Sequence, residues 1–341
     1  MNKKIDILSL TCEQLELKIL EIGEKKYRAK QIFYWLHEKR ISNFSQMTNI
    51  SLQLIDKINL NFYINSLNIQ KMIVSDIDNT VKYLYELPDG EKLETVLMEY
   101  EYGNSLCVST QVGCKMGCSF CASGIAGFKR NLTPSEILLQ IYESERDSGR
   151  RADSIVLMGI GEPLDNFDNV IAFLKILSDK NGRNMSLRHV SLSTCGLCEE
   201  IDRLAELKLP LTLSISLHAV SDEKRNAIMP INRRYNIERL IHSCSGYFKK
   251  TGRRISFEYA LIEGINDGED SAAELIKLIK PLHSHINLIP INKIRERGYK
   301  KSKFIKEFQK RLTEGGLNAT VRRTLGNDIE AACGQLRRES N

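Results

Sequence analysis

Gly113-Cys114-Lys115-Met116-Gly117-Cys118-Ser119-Phe120-Cys121 sets three thiols in Cys-x3-Cys-x2-Cys spacing on one short loop. Thiolates so close in sequence face a common centre only if the chain curls round it, and Gly113 and Gly117 permit the positive φ values such a curl needs. A closed structural zinc site wants four protein donors, and no His lies in this loop or beside it in sequence. A four-iron cluster held by three cysteines leaves one iron without a protein ligand, which is a coordination site for a substrate or cofactor. The loop reads as the seat of a cluster that does chemistry.

Downstream of the loop the sequence alternates regularly. Thr133-Pro134-Ser135-Glu136 is a capping box with Pro at the first helical position, opening a helix to Asp147. Strands are expected at 154–158, 189–194, 211–217, 255–262, 286–289 and 318–322, with helices at 167–177, 199–208, 237–250, 272–279 and 302–314 between them. Strand–helix units with short links form a parallel sheet covered by helices, and about six of them fit a barrel or partial barrel. In Leu211-Thr212-Leu213-Ser214-Ile215-Ser216-Leu217-His218 one face is aliphatic and the other polar, and Val190-Ser191-Leu192-Ser193 repeats the pattern. A parallel strand packed on both faces reads as a continuous apolar run, so the polar face is expected to line a lumen that holds a ligand.

Upstream, residues 11–62 read as helical, with Leu15, Leu17, Ile19, Leu20, Ile22, Ile32, Phe33 and Leu36 at three- and four-residue steps. Lys25, Lys26, Arg28, Lys30, Lys39 and Arg40 make the other side basic, which suits either RNA contact or a solvated face. From Lys71 to Thr110 the pattern turns to strands, with a turn at Asp89-Gly90, and a strand runs straight into the cysteine loop. The expected division is a helical domain over 1–65, a β-rich extension over 66–99, a barrel over 100–332 and a terminal segment over 333–341.

Composition sets the outer bounds. The chain has 341 residues, 42% hydrophobic and 27% charged, with net charge +6, enough for a large core and a mild basic bias compatible with RNA. Nine cysteines at uneven spacing without a secretory signal argue against a disulfide framework, and no stretch approaches a membrane span, so a cytoplasmic protein is expected.

Cys-x3-Cys-x2-Cys resembles the signature of the radical S-adenosylmethionine (SAM) enzymes, whose [4Fe–4S] cluster binds SAM at its open iron. That resemblance implies a partial (β/α)6 barrel, with Cys114, Cys118 and Cys121 as cluster ligands. Gly159-Ile160-Gly161-Glu162-Pro163, at a strand end, is similar to the turn that holds the SAM amino group; it lacks the third glycine of a dinucleotide fingerprint, since Leu164 stands there. By the same resemblance Gly161 and Glu162 contact SAM, with Ser193, Ser216, Leu217, His218 and Asn292 at matching strand ends.

Glu94-Thr95-Val96, Cys107, Gln111-Val112-Gly113-Cys114 and Ala331-Ala332-Cys333-Gly334-Gln335-Leu336 together resemble the RNA-adenine methyltransferases of the radical SAM class, over essentially the whole chain. C2 and C8 of adenine are amidine carbons without a nucleophilic lone pair, beyond the reach of ordinary displacement on SAM. The resemblance implies that one SAM methylates Cys333 and a second provides the 5′-deoxyadenosyl radical that activates that methyl. It implies further that Glu94 is the base, and that Cys107 releases product as a Cys107–Cys333 disulfide. Both thiols must then be accessible as thiolates. Pro163 and Cys195 are similar to the C2 branch, which acts on 23S rRNA at the peptidyl-transferase centre and on the tRNA adenosine beside the anticodon. The alternatives are the C8 branch, associated with antibiotic resistance, and a zinc-stabilised RNA-binding protein without catalysis. An electron donor such as flavodoxin or ferredoxin, no membrane and a monomer complete the expectation. The target adenine is expected to flip out of its stack. Cys195-x2-Cys198 reads as incidental, Cys12 and Cys244 as core, and Arg322, Arg323, Arg337 and Arg338 as a phosphate rim or a solvated surface.

Overall fold

Residues 4–337 are described by a computed structural model. Three short helices open the chain: α1 (Cys12–Glu21), α2 (Tyr27–His37) and α3 (Leu52–Asn61). Thr11 starts α1 with a capping box, its hydroxyl accepting from the Gln14 N–H at 3.3 Å while its own N–H donates to Gln14 Oε1 at 2.9 Å. The buried stripe of α1 is Cys12, Leu15 and Ile19, whereas Leu17 and Leu20 of the expected apolar set face solvent, because positions two residues after Leu15 and one after Ile19 turn away from the face those two share. β1 (Ile5–Asp6) pairs in parallel with β2 (Phe62–Tyr63) and clasps the ends of this module. Its expected basic face is only partly free: Lys26 pairs with Glu16, and Arg40 turns inward onto Glu145 at 2.7 Å and the Tyr142 ring.

An antiparallel meander follows: β3 (Asn68–Val74), β4 (Val81–Glu86), β5 (Lys92–Tyr100) and β6 (Gly103–Cys107). The hairpin of β7 (Gln111–Gly113) and β8 (Phe128–Asn131) brackets the cysteine loop and leads into α4 (Pro134–Ser148). The series continues through β9 (Ser154–Leu157), α5 (Phe167–Ser178), β10 (Val190–Thr194), α6 (Cys198–Glu206) and β11 (Thr212–Ser216). Then come α7 (Asp222–Ile228), α8 (Ile237–Thr251), β12 (Ile255–Leu261), α9 (Glu269–Ile279), β13 (Ser284–Pro290), α10 (Ile305–Glu314) and β14 (Ala319–Val321). One ten-stranded sheet runs in the order β14-β13-β12-β11-β10-β9-β6-β5-β4-β3, parallel from β6 to β14 and open at both edges. The six strand–helix units are those beginning at β6, β9, β10, β11, β12 and β13; β14 adds an edge strand. This is the expected partial (β/α)6 barrel. Helix α7, the β1–β2 pair and the β7–β8 hairpin are elements that sequence periodicity did not signal.

The strand alternation does what its pattern demands. Leu192, Leu213, Ile215, Phe257 and Leu288 are fully buried in the main core. Each such side chain contributes about 1.5–3 kcal/mol to the fold. The polar positions line up across the strands: Ser193 opposite Ser214, Ser214 opposite Ser256, Ser216 opposite Glu258 and Glu258 opposite Asn287. The outer face carries the stability, which leaves the inner face free to be polar.

Candidate active site

The cysteine loop takes its shape from its glycines. Gly113 (φ +74°) passes so close to the opposite strand that a Cβ there would lie 1.8 Å from the Gly127 carbonyl, and Gly117 (φ +70°) makes the second turn. Ser119 anchors the loop to the carboxyl end of α7, its N–H donating to the Ile228 carbonyl at 2.9 Å. Cys114, Cys118 and Cys121 are half-buried and line one cavity of about 170 Å³ together with Gly161, Glu162, Ser193, Ser216, His218, Asn292 and Cys333. Three thiols converge there on a chain that supplies soft donors, which fits an iron–sulfur cluster with one iron left open. Among the described residues no three His, Cys, Asp or Glu side chains close on a single metal ion. Burial pushes the Cys114 thiol up to about 12 and raises Cys118 and Cys121 as well; metal binding has to displace their protons.

Glu162 is held from both sides, Oε2 accepting from the Cys195 N–H at 2.8 Å and Oε1 from the Leu164 N–H at 3.1 Å, while its own N–H donates to Gln111 Oε1 at 2.9 Å. Burial raises its pKa, so a cationic amino group is the natural partner for it in this cavity. His218 has φ +57° and a ring packed edge-on to Phe120; its Nδ1 accepts from the Ala260 N–H at 2.9 Å, and burial lowers its pKa to about 3, so it sits there neutral. Leu217 does not line the cavity: its side chain is fully buried in the core, and its carbonyl accepts from Arg225 at 3.0 Å. The strand alternation that turns Ser216 inward turns Leu217 outward.

Three side chains here escaped the sequence reading. Arg225, fully buried on α7, bonds the Cys195, Ser216 and Leu217 carbonyls and so fixes the ends of β10 and β11. Glu258, a carboxylate raised by burial, accepts from Asn287 at 2.8 Å on the lumen face; a Glu alternating with apolar residues in Ile255-Ser256-Phe257-Glu258-Tyr259 was the available signal. Cys195 lines the cavity and interacts with Glu162, which corrects its reading as incidental; Cys198 beside it is core. Arg322 also departs from expectation, since it lies inside the cavity, where Cys333 and then Glu258 hold its guanidinium charged against burial. Arg323 is exposed, and Arg338 falls outside the described residues.

The segment carrying Cys333 lies across the lumen and is tied at many points. The Asn292 side chain donates to the Cys333 carbonyl at 3.0 Å and the Ala122 N–H to the Gly334 carbonyl at 2.7 Å. Asp328 accepts from Ser75 Oγ at 2.8 Å and from the Asp76 N–H at 3.1 Å. Cys333 is half-buried and shares a crevice with Cys107, which is buried, its thiol pushed up to about 12 by burial and by Cys333. Both are free thiols, so the expected Cys107–Cys333 disulfide is not a feature of this structure. Glu94 lies beneath the same segment and lines neither the cavity nor the crevice. Its Oε1 pairs with Lys82 Nζ at 3.1 Å, its Oε2 accepts from the Arg337 N–H at 2.8 Å, and Lys82 reaches on to the Glu330 carbonyl at 3.3 Å. Lys82, Val96 and Cys107 are direct cross-strand neighbours, so all point to the face that the segment covers.

An open α/β barrel with a three-cysteine loop at the carboxyl ends of its strands defines a radical SAM protein, and residues 108–276 match the family model of the radical SAM superfamily. The chain resembles, with TM-score 0.92 and 39% identity over 97% of this chain and 99% of the other, the crystal structure of a radical SAM methyltransferase from Sphaerobacter thermophilus. Residues 5–64 match the ribosomal RNA large subunit methyltransferase N-terminal domain. Two curated relatives are called probable dual-specificity RNA methyltransferase RlmN: that of Alkaliphilus metalliredigens, 52% identical over 98% of this chain and 96% of its own, and that of Clostridium novyi, 49% identical over 98% of each. The chain belongs to the RlmN family of radical SAM methyltransferases. Membership brings a [4Fe–4S] cluster and SAM as its cofactors. No described helix is long and apolar enough to cross a membrane.

Proposed function

We propose that this protein methylates C2 of an adenine in 23S rRNA and of the adenine beside the anticodon in tRNA, using Cys333 as the methyl carrier. The observation that carries the reading is full-length identity of about half to relatives named as dual-specificity RNA methyltransferases. When bound, the cluster and SAM supply hydrogen-atom abstraction, the chemistry an amidine carbon without a lone pair requires. Cys114, Cys118 and Cys121 hold the cluster, while Glu162, Ser193, Ser216 and Asn292 line the space beside it and hold SAM. Arg322 lines the same cavity as Cys333, so a cation faces the thiol that accepts the methyl group. Asn292 fixes the backbone of Cys333 at the same wall. Glu94 takes the proton from the ring carbon once the terminal segment lifts from it, and Cys107, in the same crevice as Cys333, frees the product. The protein works as a monomer supplied with electrons by flavodoxin or ferredoxin. The domain reading stands with this proposal: the helical module contacts RNA and the barrel holds the chemistry.

The test is mass spectrometry of nucleosides from unmodified rRNA and tRNA after reaction. New 2-methyladenosine in both is expected; 8-methyladenosine in its place, or no methyladenosine from fully iron-loaded protein, overturns the assignment.

A further inference from the structure

The outer side of the cysteine loop faces a second depression, a groove of about 490 Å³ lined by Lys115, Met116, Leu197, Pro230, Ile231, Arg233 and Arg234, with Asp165 at its edge. Its floor is continuous with the loop: Met116, Cys118, Phe120 and Ile231 all pack against the buried cluster that holds Ile228 and Met229, and Gly117 is exposed, where an added Cβ would lie 3.6 Å from the Pro230 ring. Its walls are cationic. Arg233 and Arg234 are exposed, Arg234 contacts Glu199 only at 3.7 Å, and Lys115 pairs with Asp165 at 2.8 Å. Lys115, Arg233 and Arg234 outnumber the two acids beside them, Asp165 and Glu199, on a surface that neither the lumen nor the terminal segment occupies.

We infer that this groove is the docking surface for a small acidic one-electron carrier protein. The inference rests on the radical SAM reading of the site, because that chemistry consumes one electron at the cluster in each activation. The carrier is oxidised by one electron and the cluster reduced by one, with no atom transferred. Electron tunnelling falls steeply with distance, so the carrier has to seat over the loop itself, and Lys115 and Gly117 of the loop are exposed beside this groove. An apolar floor with a basic rim is the complement of an acidic carrier whose redox group sits at an exposed edge, and charge of this kind sets encounter rate and partner choice.

The experiment compares the full-length, cluster-loaded protein with its R233E/R234E variant, using an acidic flavodoxin as the probe. Flavodoxin binding at low salt should weaken at least tenfold in the variant. Reduction of the cluster by reduced flavodoxin, followed by loss of its visible absorption, should slow to match. Reduction by dithionite, which needs no docking, should proceed at the wild-type rate. Raising the salt should shrink the difference, since these charges are exposed. Unchanged flavodoxin binding and reduction overturn the inference, as does an equal loss with dithionite, which would mark the arginines as structural. None of these readouts involves RNA, so a failed RNA assignment leaves the outcome legible.

Discussion

At the residue scale the site divides into groups whose types alone betrayed them and groups that only the fold reveals. The three loop cysteines, Glu162 and Cys333 stand in motifs that a linear reading can find, because each sits at a turn where backbone and side chain both face the ligand space. Arg322 and Glu258 do not, since an isolated charge in a strand becomes informative only when register shows it opposite another polar residue. Leu217 turns its side chain to the core, one step of strand alternation from Ser216, and Cys195, read as an incidental Cys-x2-Cys for want of a partner pair or a nearby His, meets Glu162 across 33 residues of sequence. Two predictions belong here. In the cluster-loaded protein, alkylation at pH 8 followed by peptide mass spectrometry should modify half-buried Cys333 at least tenfold faster than Cys107, whose thiol is pushed up to about 12; equal rates would contradict the burial argument. Cys333→Ala should retain iron and sulfide while losing methylation, as measured by metal analysis and product assay.

At the element scale, amphipathic strands and capped helices were legible because their periods are local. Helix α7 was not, for it is short and its one dominant side chain, Arg225, is buried through bonds to distant carbonyls rather than through an apolar face. The lumen-crossing segment was not legible either, because its ties reach back some 250 residues, from Asp328 to Ser75 and from Gly326 to Asp78. Gly113→Ala forces a Cβ to within 1.8 Å of a carbonyl, so iron content after reconstitution should fall severalfold while helical circular dichroism persists. Lys82→Met removes the cation 3.1 Å from the Glu94 carboxylate, which is 3% exposed. Breaking a buried pair costs about 3–5 kcal/mol, and hydrogen exchange over residues 325–337 should quicken with the drop in stability; a variant with wild-type exchange would show that the pair does not hold the segment.

At the scale of the whole molecule, the helical module and the barrel meet over a buried polar seam. His37 is fully buried there against Tyr142, and burial lowers its pKa to about 3. A histidine depressed in the folded state binds fewer protons folded than unfolded, so its stability is whole above the ordinary value near 6.5 and drains away as pH falls toward 3. Between pH 7 and 5 the wild type should lose about 2 kcal/mol more than His37→Gln, as read by urea unfolding at each pH. The proposed passage of methyl through the protein on its way to RNA requires a cluster loop, a cofactor pocket and a tethered thiol at one cavity, and Cys114, Cys118, Cys121, Glu162 and Cys333 do line one. Incubation with SAM bearing a trideuterated methyl, then tryptic mass spectrometry of residues 324–337, addresses this directly. Labelled methyl should be found on Cys333 before any reaches RNA and should leave Cys333 as methyladenosine forms; labelled RNA from a chain whose Cys333 never carries the label would rule out the methyl relay.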